Sequence, residues 1–324
     1  MNKFSRYILI TAAVIVAAGA PWFGVQSISL SDVLAGSMEA EIFWQLRLPR
    51  VIIAWCAGAA FGLCGMVFQA LFRNPLAEPS LLGISSGAAF GAAAAIRIGL
   101  GAGAFGVVTI PSCAFAGAIL SVMVITAFSH MARGTRDATL LLAGIAISSI
   151  FSSLIMVFQY TGGSVEAYRL LSWTMGGINV VGMTEGLTAL PSLAITLVMS
   201  LVYATELDLM TFGDEIAVTR GVAIERTRRL LFVGMSLSVA IVVANCGPIA
   251  FLGLIAPHAA RWFVGARHKT LAPYTALIGG TALVFCDTAA RTAMAPADLP
   301  VGIIISFLGA PFFLWLLFSP KDRG

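Results

Sequence analysis

The chain of 324 residues is 59% hydrophobic and 10% charged, where soluble domains carry roughly 25% charged residues, and its formal net charge is +4. That composition excludes a soluble enzyme. The few basic residues are scattered between apolar runs rather than gathered on one face, which excludes a nucleic-acid binder and leaves an all-α polytopic membrane protein.

Residues 1–20 place Lys3 and Arg6 ahead of an apolar stretch ending in AGA, much as a secretory signal does. Further hydrophobic runs follow at once, so an uncleaved first span with its N-terminus inside is expected. A polar outside segment over about 27–45 leads to RLPR at 47–50 and a second span over about 51–72. The prolines of RNPLAEP, 73–79, end that span. In the third run, about 81–98, Gly83, Gly87 and Gly91 recur at the four-residue spacing that lets helices approach closely in lipid, which predicts packing. A fourth span, about 105–128, precedes a basic loop at 130–137. The fifth reaches about 158 and holds Ser148, Ser149, Ser152 and Ser153, which either line a wet path or bond back to the preceding turn.

Residues 160–182, with Glu166, Arg169 and Trp173, predict an outside loop containing a short helix. After a sixth span, about 187–203, comes TELDLMTFGDEIAVTRGVAIERTRR, 205–229, the one long polar interval of the chain. Its charges alternate in sign, and Gly213 and Gly221 bracket the apolar Ile216, Ala217 and Val218. That pattern describes a short amphipathic element held outside the bilayer and offered to something soluble, while Arg226, Arg228 and Arg229 mark where the next helix enters the membrane. A seventh span covers about 230–245. The eighth, 247–261, is short and broken by Pro248 and Pro257; the ninth and tenth cover about 271–286 and 301–318.

Ten spans starting inside leave only Arg47, Arg50, Arg97, Arg169 and Arg291 of the 19 basic residues on the outer side. The excess of inner positive charge supports the count and its direction, and puts 205–229 and both termini in the cytoplasm.

No GxxxxGK[ST] loop, HExxH helix or GxSxG elbow occurs, and His130, His258 and His268 have no partners at metal spacing. Beside a helix break, His258 reads as a packed or surface residue rather than a proton relay. Cys56, Cys64, Cys113, Cys246 and Cys286 read as small membrane hydrophobes. Asp287 and Arg291, four apart, are either a functional group at membrane depth or a local ion pair that tolerates burial. No acidic residue is central in a span, which disfavours the alternative function, an ion-coupled secondary carrier without an ATPase partner.

RLPRVIIAWCAGAAFGLCGMVFQALFRNPLAEPSLLGISSGAAFG, LLLAG, WTMGG, GPIAFLGLIAPHAAR and DLPVGIIISFLGAPFFLWLLF closely resemble the permeases of the iron-siderophore, haem and vitamin B12 group of ABC importers. The match spans roughly residues 47–318. It implies a single ten-helix transmembrane domain over 1–324, in the inner membrane of a bacterial cell, that works as a homodimer or beside a paralogue. Two cytoplasmic ATPase subunits and a periplasmic binding protein are the further partners implied. The permease would have no catalytic residue, and ATP and magnesium would be held by the ATPase.

In that family a segment between the sixth and seventh spans couples to the ATPase. Here GDEIAVTRG carries the motif with Gly213, Asp214, Glu215, Ala217, Arg220 and Gly221, Arg220 standing where a leucine is usual. Arg47, Arg50 and Arg291 match positions that meet acidic residues of the binding protein. Asn74, Pro75 and Leu76, with Asp137, Ala138 and Thr139, match the cytoplasmic gate, although the second trio departs from the small polar composition of relatives. The fifth helix lines the path in this family. At helical spacing one pair of its four serines can face that path.

Overall fold

Helices satisfy every backbone group inside the segment that crosses lipid, and the computed structural model, which describes residues 3–100, 106–131, 136–295 and 297–318, contains no strand among them. Helix α1 (Lys3–Gly19) precedes two short helices, α2 (Leu30–Ala35) and α3 (Met38–Ile42), and a π-helical turn at Phe43–Arg47 runs straight into α4 (Leu48–Leu71). Next come α5 (Ile84–Arg97), α6 (Gly106–Met131), α7 (Arg136–Thr161), the shorter α8 (Ser164–Thr174), the single turn α9 (Met183–Gly186) and α10 (Leu190–Val202). The polar interval holds α11 (Ala204–Thr211) and α12 (Asp214–Thr219). The rest is α13 (Ile224–Cys246), α14 (Leu252–Val264), α15 (His268–Ala293) and α16 (Val301–Phe318).

The ten longest of these helices fall on the ten predicted runs, but they are not ten equal spans. The helical stretches Met38–Leu71, Val108–Phe128, Leu142–Thr161, Met183–Val202 and Ile224–Cys246 are long and apolar enough to cross a membrane, the fourth of them joining α9 and α10 through a turn, whereas Tyr7–Trp22 and Val301–Leu316 are apolar but shorter. At 14 and 13 residues, α5 and α14 reach only about 20 Å each.

The eighth run shows why. Helix α13 ends at Gly247, φ 68° and ψ −179°, a conformation open only to glycine. The next residues run without helix to Phe251, itself left-handed at φ 64°, where α14 begins. Of the two prolines expected to break this run, Pro248 lies in the non-helical part, and Pro257 sits inside an intact α14. Irregular backbone survives at this depth because protein covers it: the N–H of Gly177 bonds the carbonyl of Cys246 at 2.9 Å, and α16 packs over Phe251.

Helix α4 is the core, buried along almost its whole length against α10, α13, α14 and α15. Glycines set these contacts at backbone distance. A Cβ on Gly65 would stand 1.8 Å from the carbonyl oxygen of Gly253, and one on Gly58 would stand 2.3 Å from that of Gly279. Likewise a Cβ on Gly87 would meet the carbonyl of Gly117 at 2.6 Å, and one on Gly91 that of Cys113 at 2.0 Å. The glycine repeat of the third run is therefore a packing face against α6, as its spacing predicted. Cys56, Cys64, Cys246 and Cys286 are buried free thiols, which accords with their reading as small hydrophobes.

Candidate functional site

Two ends of the bundle carry the polar residues, and α12 marks one of them. Gly213 at φ 119° and Gly221 at φ 84° bracket this six-residue helix, both in conformations that side chains resist, so the chain can turn sharply on either side of it. Ala217 is fully buried, against the expectation that it contacts a partner: it anchors α12 onto the rest of the chain. The surface that α12 presents is instead Glu215, Ile216, Val218, Thr219 and Arg220, with Phe212 just before it. Ile216, Val218 and Phe212 are respectively 48%, 59% and 72% exposed, an apolar face on a segment otherwise rich in charge.

Asp214 opens α12 and joins it to two other elements. Its carboxylate lies 3.3 Å from Arg228 of α13 and 3.7 Å from Arg73 of the loop after α4. That loop is the RNPLAEP segment. Asn74 folds it by accepting the N–H of Leu76 at 2.9 Å, and Pro75 is exposed while Asn74 and Leu76 are half-buried. Further along, Glu78 is buried. One of its oxygens accepts the N–H of Phe251 at 2.9 Å and the other accepts from the Ser80 hydroxyl. The strained start of α14 is thereby held by a carboxylate from the loop after α4.

Gln69, at the end of α4, ties the same region again: its amide donates to the carbonyl of Gly253 and accepts from Arg261 at 2.7 Å. Asp208 of α11 accepts the backbone N–H of His268 at 2.9 Å and stands 2.6 Å from its Nδ1, capping α15. His258 is buried with Nδ1 2.9 Å from the carbonyl of Leu254, a packed histidine as expected. Asp137, Ala138 and Thr139 fall in the first turn of α7, and their side chains lie outside the described residues.

Replacing Glu78 by alanine should leave the Phe251 N–H buried without an acceptor and cost about 1–3 kcal/mol, read as a lowered thermal midpoint in detergent. Glu78→Gln keeps an acceptor there and should recover most of the loss.

At the opposite end the three matched arginines converge, but not as free surface charges. The carboxylate of Asp287, 1% exposed, accepts from Nε and a terminal nitrogen of Arg50, each at 3.0 Å, and lies 3.4 Å from Nε of Arg291. Arg50 also reaches Asp298, ahead of α16, at 3.1 Å. Arg291 donates to the carbonyl of Ala20 at 3.1 Å, and Arg47 to those of Pro21 at 3.1 Å, Trp22 at 3.3 Å and Gln26. Both are only 6% exposed. Arg47 and Arg291, two of the three arginines expected to face a binding protein, fasten the segment after α1 onto α4 and α15. Asp287 with Arg291 is the buried ion pair, extended by Arg50 into a network.

Beside this network a cavity of about 490 Å³ is lined by Arg50, Arg169, Trp173, Asn179, Asn245 and Asp298 among others. Helix α8, found where the outside loop predicted a short helix, forms one wall and is braced to α5 by Arg97–Glu166 at 3.3 Å.

On α7 the serines divide differently from the predicted pair. Ser148 turns inward, its hydroxyl 3.1 Å from that of Ser86. Ser149, Ser152 and Ser153 share one exposed face at i, i+3 and i+4, where Ser149 and Ser153 also donate back to carbonyls four residues earlier. Among the described residues no cluster of three metal-binding side chains occurs.

Asp298, Glu78, Arg73, Gln69, Asp208 and Ser86 are among the interacting residues that reading the sequence missed. Glu78 carries the only available signal, a carboxylate between two prolines at the foot of an apolar helix.

Residues 7–319 match the FecCD transport family. The chain is 38% identical over 315 residues to the cobalamin import system permease protein BtuC of Halobacterium salinarum, covering 96% of this chain and 82% of that one. It is 36% identical over 280 residues to the iron(3+)-hydroxamate import system permease protein FhuG of Bacillus subtilis, covering 85% and 83%. Among solved structures, an inward-facing ABC transporter of metal-chelate type superposes with a TM-score of 0.84 at 29% identity, covering 96% of this chain and 98% of the other.

Proposed function

The chain belongs to the FecCD transport family and is a permease of the ABC importer class, and on that premise we propose that it carries an iron-siderophore, haem or cobalamin across the inner membrane. A second copy completes the path. Two ATPase subunits, which hold ATP and magnesium, bind from the cytoplasm, and a binding protein delivers the ligand on the periplasmic side. The termini face the cytoplasm, as the basic residues concentrated on that side support.

The observation that carries this reading is the exposed apolar face of α12. A six-residue helix flanked by two turning glycines, buried through Ala217 and exposed through Ile216 and Val218, has the form of a joint pressed from outside. Motion delivered to it passes through Asp214 to Arg73, and so to the gate loop with Asn74, Pro75 and Leu76. The exposed serines of α7 give the path a polar edge. On the periplasmic side, docking rests on Arg50 and the neighbouring Asp298 rather than on the two buried arginines.

Reconstitution with the ATPase and binding protein in sealed vesicles tests this. Uptake should require ATP. Ile216→Glu should cut uptake about tenfold or more while changing the thermal midpoint of the permease little, because the side chain is 48% exposed and a carboxylate there can reach water. Uptake that persists without ATP and follows an imposed ion gradient would establish a secondary carrier instead.

A further inference from the structure

A second cavity lies on the α12 side, between the end of α10 and the start of α13. It encloses about 390 Å³, and its lining includes Tyr203, Glu206, Arg220, Arg226, Thr227 and Leu230. The stretches Met183–Val202 and Ile224–Cys246, both long enough to cross a membrane, end and begin here, so the cavity stands at headgroup depth. Tyr203 has the amphipathic character that favours this depth.

The side chains of Glu206, Arg220 and Arg226 have no hydrogen bond or ion pair among the described residues. These three charges gather around one cavity, whereas several charged groups nearby are tied within the chain. Asp214 is joined to Arg73 and to Arg228, Asp208 to His268, and Arg261 to Gln69. Beyond the cavity the surface turns apolar. Val233 stands one turn from Leu230 on the same face of α13, and Val198 and Val202 share a face of α10; all four are 43–64% exposed.

We propose that this cavity is a binding site for an aminophospholipid headgroup. A phosphodiester meets the guanidinium groups of Arg220 and Arg226, which match its oxygens as paired donors. The headgroup ammonium meets the Glu206 carboxylate, and the acyl chains lie along the exposed valines. A glycerol headgroup offers Glu206 neutral hydroxyls and no cation, and a choline headgroup brings three methyl groups where the carboxylate needs N–H donors. The lining therefore selects a headgroup with both signs of charge and a primary amine. Basic pockets between helices on the cytoplasmic side are a general device for holding lipid headgroups.

The test uses the full chain, purified in detergent and offered equal amounts of phosphatidylethanolamine, phosphatidylcholine and phosphatidylglycerol, with retained lipid read by native mass spectrometry. The native chain should retain phosphatidylethanolamine about threefold over each of the others, as expected for partly exposed ion pairs. Glu206→Gln should erase the preference over phosphatidylcholine, and Arg226→Gln should lower retention of all three. Arg226→Lys, which keeps the charge but not the planar fork, should lower it less. Equal retention of the three lipids by the native chain overturns the proposal, as does retention that Arg226→Gln leaves unchanged. Displacement of the lipid by equimolar soluble glycerophosphoethanolamine would also overturn it, by making the site one for a free phosphodiester. None of these readouts involves transport, so failure here leaves the importer function standing.

Discussion

Arg50→Ala should destabilise the folded permease by about 3 kcal/mol, at the lower end of what breaking a buried pair costs because Arg291 remains beside Asp287. The loss comes from the carboxylate left behind. Asp287 is 1% exposed and accepts three of its hydrogen bonds from Arg50, so removing the guanidinium leaves a buried carboxylate with Arg291 alone beside it. The measurement is the thermal midpoint of the detergent-solubilised chain. A second variant separates burial from docking: Arg50→Ala combined with Asp287→Leu removes both charges and should recover most of the midpoint. If Arg50 served only to meet a binding protein, the single variant would keep its midpoint and lose capture alone.

Gly65→Ala should be comparably damaging, at about 3 kcal/mol, through an unrelated cause. The added methyl group would overlap the carbonyl oxygen of Gly253 at 1.8 Å, and backbone on both sides leaves no flexible side chain to give way. Helices α4 and α14 would have to separate, which loosens the bonds from Gln69 to Gly253 and Arg261. Gly163→Ala is the control. Its φ of −71° suits any residue and nothing lies within 4 Å of its added Cβ, so its midpoint should match the native chain.

Helices were legible because their signal is local. A run of about twenty apolar residues declares itself, and the glycine spacing of the third run gave the face that packs on α6. The interval 205–229 stood out by polarity alone, and two glycines framed the helix found inside it. What escaped is set by contacts between distant residues. Whether Ala217 faces in or out depends on where α12 lies against the bundle, and a six-residue helix has too few turns to show a face. Arg47 and Arg291 lie at the same end of the bundle as Arg50, yet their burial follows from the segment after α1 folding back across them, an arrangement no spacing encodes. Helical spacing allowed one pair of the α7 serines to face a path, but it could not show that Ser148 would turn inward to Ser86, 62 residues earlier, and leave three on the exposed face.

The glycine contacts of α4 also bear on how the chain is made. Gln69 and its partner Gly253 are 184 residues apart, and Arg50 and Asp287 are 237 apart. At about 5–20 residues per second, the earlier partner of the nearer pair waits about 10–40 s for the later one to be synthesised. During that interval α4 must reside in lipid with its glycine face uncovered and Arg50 without its carboxylate. The first half of the chain is therefore the half that depends on the membrane, or on an insertion factor, to shelter it during biogenesis. The core closes only after α14 and α15 have left the ribosome.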